Sequence, residues 1–205
     1  MKVTAWRLVA AIAACCAAAG QTANTCVPTT PVAQQPRTKL KHRAPPAQST
    51  PPTVTVQQML QWKAPANAAT SAAVRKSNLP IDPKEGQAFV LEGDLWRIEV
   101  EANDCDFHLE MTTPGSGPAA DRVIVEIPQD KPFAAIRQAI LNWLAAVGVE
   151  MGGPVLRHPI RVHVTGFAFY DAFHFSNSDP QRGHDHGTAL VGTLWELHPV
   201  WSVTF

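Results

Sequence analysis

Asp104-Cys105-Asp106-Phe107-His108-Leu109-Glu110 is the stretch whose reading decides the fold. Polar and apolar residues alternate through it without a break. Asp104, Asp106, His108 and Glu110 fall on even positions, and Cys105, Phe107, Leu109 and then Met111 on odd ones. Successive side chains of a β-strand point to opposite faces, so the run predicts a strand with an apolar face turned to a core and a stripe of ionisable groups on the other face. Three carboxylates and an imidazole on one stripe suit binding of a cation, organisation of a ligand, or catalysis.

Working outward, Phe89 to Glu101 alternates as a strand, with Trp96, Ile98 and Val100 against Arg97, Glu99 and Glu101. Ala102-Asn103 is the tight connection to the second strand, and the Pro114-Gly115-Ser116-Gly117-Pro118 loop follows it. Val123, Val125 and Ile127 mark a third strand that Pro128 stops. Asp130-Lys131-Pro132 reads as a helix start with Asp130 as cap. Phe133, Ile136, Ile140, Leu144 and Val147 recur at helical spacing up to Gly148, a natural stop. Ile160, Val162 and Val164 open a fourth strand with a bulge expected at Gly166, and Thr193 to Phe205 is a fifth, with Pro199 pointing to an edge or a bulge. Three strands, a helix and two strands is the order of an OB-fold. The expected class is therefore mainly β: an OB-fold-like five-stranded Greek-key barrel with one helix between strands 3 and 4. The competing architecture is another small α+β barrel or sandwich. Residues 86–205 suffice for a self-contained core, burying about 65% of their unfolded surface.

The chain before this domain has a different composition. No acidic residue precedes Asp82, whereas nine lysines and arginines do; from residue 86 onward seven Lys/Arg face fifteen Asp/Glu, which is 7 − 15 = −8. An acidic domain repels polyanions, which argues against nucleic acid as its partner. Lys2, Arg7 and the short apolar run Leu8 to Ala14 have the form of an export signal over residues 1–20, too short to span a bilayer. The run ends at Ile12-Ala13-Ala14-Cys15, which resembles a bacterial lipobox and makes Cys15 the expected lipidation site; cleavage near Ala17-Ala18-Ala19 is the competing reading. Either way the expected location is periplasmic or at the cell surface. Residues 21–85 read as a basic, Pro-, Ala- and Thr-rich disordered linker, with residues 54–76 (Val54, Val56, Met59, Leu60 and Trp62 the apolar positions) as a short helix or collar against the domain. An oxidising compartment permits a Cys26–Cys105 bridge, but the place of Cys105 on an apolar strand face favours a buried thiol.

OB-folds bind with the face of strands two and three and with the loops joining strands one to two and four to five. The candidate ligand-binding residues there are Asp104, Asp106, His108, Glu126, Tyr170, Asp171, His174, Glu196 and His198. For a divalent cation the first candidates are His108, Asp106, Asp171 and His174. Each has a plainer reading. Asp106 with His108 also suits a structural hydrogen-bond network. His184 and His186 suit a solvated loop tip, and Glu126, Glu196 and His198 suit either solvent or a cluster with His108 across the sheet. An EF-hand is excluded, since Leu109 stands where that loop needs glycine.

The motifs DCDFHLE at 104–110, VIVEIP at 123–128, GFAFYDAFH at 166–174 and WELHPV at 195–200 resemble the signature of a group of uncharacterised exported bacterial domains. The resemblance implies one domain over about residues 86–205 and brings no activity with it. The function expected is an exported, membrane-tethered, non-catalytic binding module for an envelope partner or other ligand. The alternatives are a metal-dependent hydrolase of the thermonuclease-like OB kind and a structural envelope protein. Neither Gly-x-Ser-x-Gly nor His-Glu-x-x-His is present, and only Arg97, Arg122, Arg161 and Arg182 would serve a phosphate.

Overall fold

The computed structural model describes residues 26–47, 50–69, 72–152 and 155–205. The expected signal segment and Cys15 lie outside them. Among the described residues there are six strands: β1 (Thr53–Thr55), β2 (Ala88–Val100), β3 (Phe107–Thr112), β4 (Arg122–Ile127), β5 (Ile160–Tyr170) and β6 (Trp195–Thr204). Their order is β1-β2-β3-β4-β6-β5, and β2 also pairs with β5. That last pairing closes β2 to β6 into a five-stranded barrel, with β4 and β6 parallel and the other barrel neighbours antiparallel. The helix Ala134–Val147 lies between β4 and β5. This is the OB-like architecture that the order of elements predicts.

The barrel closes because alternation holds strand by strand. Phe107, Leu109 and Met111 of β3, Val123, Val125 and Ile127 of β4, Val162 and Val164 of β5, and Trp195, Leu197 and Val200 of β6 share one buried core. One strand serves two neighbours by bending: β2 pairs with β5 from Ala88 to Leu95 and with β3 from Asp94 to Val100, with a bulge between Leu95 and Arg97. Gly93 sits at this crowded point, where an added Cβ would come within 2.8 Å of Met111 Cε. The expected bulge at Gly166 is present, and the β5–β6 register shifts there to accommodate Pro199. The helix buries Ile140 and Leu144 against the barrel and ends at Gly148, whose φ of 69° provides the left-handed cap. Asp130 does not cap it; the carboxylate pairs instead with His42 Nδ1 at 2.5 Å.

Three expectations are corrected. The second barrel strand begins at Phe107, not Asp104: Cys105 has φ 66° and its N–H donates to Glu101 O at 2.9 Å, so a turn interrupts the alternation there. Cys105 is not a free buried thiol but is bridged to Cys26. The described residues between 26 and 85 are not a spacer standing off the domain. Arg37 donates two hydrogen bonds to the Glu85 carboxylate, 2.8 and 2.9 Å, and a third to Tyr170 O at 2.6 Å. β1 adds in parallel to β2, and the helix Val56–Leu60, held by a Thr55–Gln58 capping box, buries Val56 and Met59 in the core. Proline-rich composition misleads here because a few large side chains, anchored by a covalent bridge and a buried ion pair, are enough to dock a chain of low helix and strand propensity.

Candidate functional site

The faces of β3, β4 and β6 that point away from the core carry His108 and Glu110, Arg122 and Glu126, and Glu196 and His198. An outer barrel face is ordinarily wet; this one is covered, and every residue of β3 and β4 is buried. The cover comes from the segment around Arg37 and Lys41 and from the loop after Asp171. A Cβ on Gly187 of that loop would lie 3.4 Å from His108 Cε1. Register sets the polar groups opposite one another: His108 faces Glu126 across β3–β4, and β6 brings Leu197 beside Val125, which sets Glu196 and His198 next to them.

The result is an alternating chain of imidazoles and carboxylates. His108 Nδ1 is 3.1 Å from Glu126 Oε1 and 3.5 Å from Glu101 Oε1, while its Nε2 is 3.6 Å from Glu110 Oε1. His198 Nδ1 lies 2.7 Å from Glu126 Oε2 and 3.6 Å from Glu196 Oε2, and its Nε2 is 3.2 Å from Asp106 Oδ2. His186 Nε2 is 3.6 Å from both Glu196 Oε1 and Asp171 Oδ2, and Asp171 in turn contacts His174 Nδ1. The fixed cations on this face are Arg122, 2.6 Å from Glu110, and Lys41, 3.8 Å from Asp104 and 3.9 Å from Glu126. Both nitrogens of His198, Asp106 Oδ2, Glu196 Oε2, Glu110 Oε1 and His108 Nε2 are buried and make no hydrogen bond among the described residues. For His198 the carboxylates are close enough but lie off the N–H directions, so these are charge contacts rather than hydrogen bonds.

The electrostatics follow from this crowding. Burial alone would lower His108, but Glu110, Glu126 and Glu101 outweigh it and push the imidazole up to about 10. Burial likewise opposes the charge on His198, and Glu126, Asp106 and Glu196 still hold it well above the ordinary value. Burial would raise Glu126, yet His198, Lys41 and His108 keep it well below the usual carboxylate range. Asp171 is held low against burial by His174, His186 and Lys41. Asp104 moves the other way, up to about 6, because burial and the neighbouring Asp106 and Glu126 charges disfavour its ionised form. His108 and His198 are thus imidazolium ions that neutralise carboxylates.

Of the expected site residues, Asp106, His108, Glu126, Glu196 and His198 meet in the buried part, and Asp171 and His174 meet at its rim. Asp104 joins through Lys41, from the turn before β3. Tyr170 does not join: it packs edge-on against Trp195 in the core and donates from its hydroxyl to Pro180 O at 3.0 Å. Nor do the four first cation candidates converge on one point. Asp171 and His174 group with His186, Asp106 groups with Glu126 and His198, and His108 groups with Glu99 and Glu101. His186, read as a solvated loop tip, is 8% exposed and belongs to the site. Its His-x-His spacing was the available signal. Nothing local to the Pro-rich segment marks Lys41 as a member.

A cavity of about 240 Å³ opens beside the rim, lined by Lys41, Asp104, Phe169, Asp171, Phe173 and His174 among others. A larger groove of about 820 Å³ beside Trp62, Lys84 and Phe89 holds no imidazole and lies away from this chemistry. Among the described residues no helix is long and apolar enough to cross a membrane. Comparison with protein-family models, with curated proteins and with solved structures gives no match to this chain.

Proposed function

We propose that the protein is an exported, membrane-tethered binding module that takes its ligand at the acidic, histidine-bearing face without catalysing a reaction on it. One observation carries this reading: carboxylates and imidazoles from three strands and the β5–β6 loop meet beside a cavity, with buried polar atoms there that make no hydrogen bond to any described residue. The deep groups neutralise one another, which leaves the rim of Asp171, His174 and His186 to meet a ligand. Export rests on the N-terminal charge, apolar run and lipobox-like Cys15.

A second reading, a metal-dependent hydrolase, draws on the three groups of ligand-type residues, since a held cation would activate water. Elemental analysis of protein prepared without a histidine tag, melting with added zinc, manganese or calcium, and hydrolysis of bis(p-nitrophenyl) phosphate separate the two. The binding module is expected to gain thermal stability from at least one ion without turnover above background. Turnover that disappears in Glu196→Gln would replace it with the hydrolase. Retention of no ion and no shift with any of the three would leave the structural envelope protein, in which His108→Ala costs stability alone.

A further inference from the structure

The imidazoles of this face are not equivalent. His108 and His198 have a carboxylate at each ring nitrogen, on opposite edges of the ring. Each ring thus lies between anions, as an imidazolium does, with His108 Nδ1 to Glu126 Oε1 the contact that is a hydrogen bond. His186 is different. One nitrogen, Nε2, faces two carboxylates from separate segments, Asp171 Oδ2 and Glu196 Oε1, each at 3.6 Å and beyond hydrogen-bond distance. His174 Nδ1 reaches the same Asp171 oxygen, and the two imidazole rings lie nearly parallel with centroids 5.4 Å apart. Asp171, His174 and His186 thus bring their ligand-type atoms within 4.8 Å of one another, and Glu196 adjoins them through His186.

We propose that Asp171, His174, His186 and Glu196 form a binding site for one divalent ion of the zinc class, entered from the cavity beside His174. This rests on the binding-module reading and names its ligand. Zinc holds nitrogen and oxygen donors about 2.0–2.2 Å away in a tetrahedron, which sets neighbouring donors about 3.3–3.6 Å apart; the two His186 spacings match, whereas Asp171 and His174 are in direct hydrogen-bond contact and would part around an ion. Two imidazoles with two carboxylates suit a borderline ion, whereas calcium takes about six to eight oxygens. An independent observation points the same way. Glu196 is 1% exposed, and among the described residues neither its Oε2 nor the buried His186 Nδ1 has a hydrogen-bond partner. A carboxylate buried to this degree needs a counter-charge; Oε2 faces His198 Nδ1 and Oε1 faces His186 Nε2, each at 3.6 Å and beyond hydrogen-bond distance.

Zinc titration of the full chain, prepared without a histidine tag, tests this by calorimetry. One ion per chain is expected. His186→Ala should weaken binding by at least the roughly 10–100-fold that even loss of a supporting residue costs, and His163→Ala, on an exposed strand position, should leave it unchanged. Cobalt(II) should give the intense visible bands of a tetrahedral site in the natural chain and lose them in His186→Ala. If His186→Ala does not fold, His174→Gln at the half-exposed rim replaces it, with the same expected loss. Zinc binding that survives both changes overturns the site while sparing the binding module. Failure of the natural chain to bind zinc while manganese or calcium raises its melting temperature overturns the zinc class alone. Failure to respond to any of the three removes the cation from both proposals.

Discussion

At the residue scale, single buried charges hold the N-terminal segment and the polar face in place. Arg37 and Glu85 are 1% and 0% exposed and pair through two hydrogen bonds. Glu85 also accepts from the backbone N–H groups of Tyr170 and Ile81, at 2.9 and 2.7 Å. Removing one partner of such a pair leaves the other charge buried without compensation, at about 3–5 kcal/mol. Glu85→Gln is therefore expected to lower stability by that order in urea denaturation, although it conserves volume. Nearby, Phe169 gives its ring to Arg37 and Lys41 on the polar side of β5, while the adjacent Tyr170 points into the core. One step along a strand separates a site residue from a core residue.

At the scale of elements, two connections control whether the polar face is covered. The Cys26–Cys105 bridge closes a separation of 79 residues and ties the segment carrying Arg37 and Lys41 to the turn carrying Asp104 and Asp106. Loop closure of that length corresponds to about 4–5 kcal/mol of chain entropy. The double variant Cys26→Ser with Cys105→Ser is expected to lose stability of that order, and limited proteolysis should cut first within residues 26–47. The loop from Asp171 to Gly187 is the second connection. Gly183 has φ 70°, and a Cβ there would stand 2.3 Å from His174 O. Gly183→Ala should displace His174 and His186 together, which weakens zinc binding while far-ultraviolet circular dichroism shows the barrel retained.

At the scale of the whole molecule, the barrel works as two layers: an apolar interior and a charged outer face that is itself covered. Stability should then depend on pH from both sides. His108 titrates near 10 in the folded chain against an ordinary 6.5, so the folded state holds its proton more tightly. That contribution is complete below about pH 6.5 and is lost as pH rises towards about 10. Glu126 and Asp171 are held below their ordinary values, so their contribution is present near neutrality and lost as pH falls through the acid range. The urea midpoint is expected to be highest near neutrality and to decline through the alkaline range, and His108→Gln should flatten the alkaline limb. A midpoint indifferent to pH between 6.5 and 10 would contradict the imidazolium assignment.

The barrel was legible in the chain because alternation of period two and a single helical stretch are local properties, written in residues such as Val123 to Ile127 and Phe133 to Leu144. The ionisable residues were legible as candidates for the same reason, since Asp106, His108, Glu196 and His198 alternate with core residues. Which of them share a point was not legible. That depends on the His108–Glu126 and Val125–Leu197 registers and on the folding back of the β5–β6 loop, and such long-range pairings leave no local pattern. Composition marked the Pro-rich segment as a free arm, but the bridge to Cys105 and the Arg37–Glu85 pair are contacts across 79 and 48 residues. Local chemistry dictates which way a side chain points; only closure of the barrel decides what it meets.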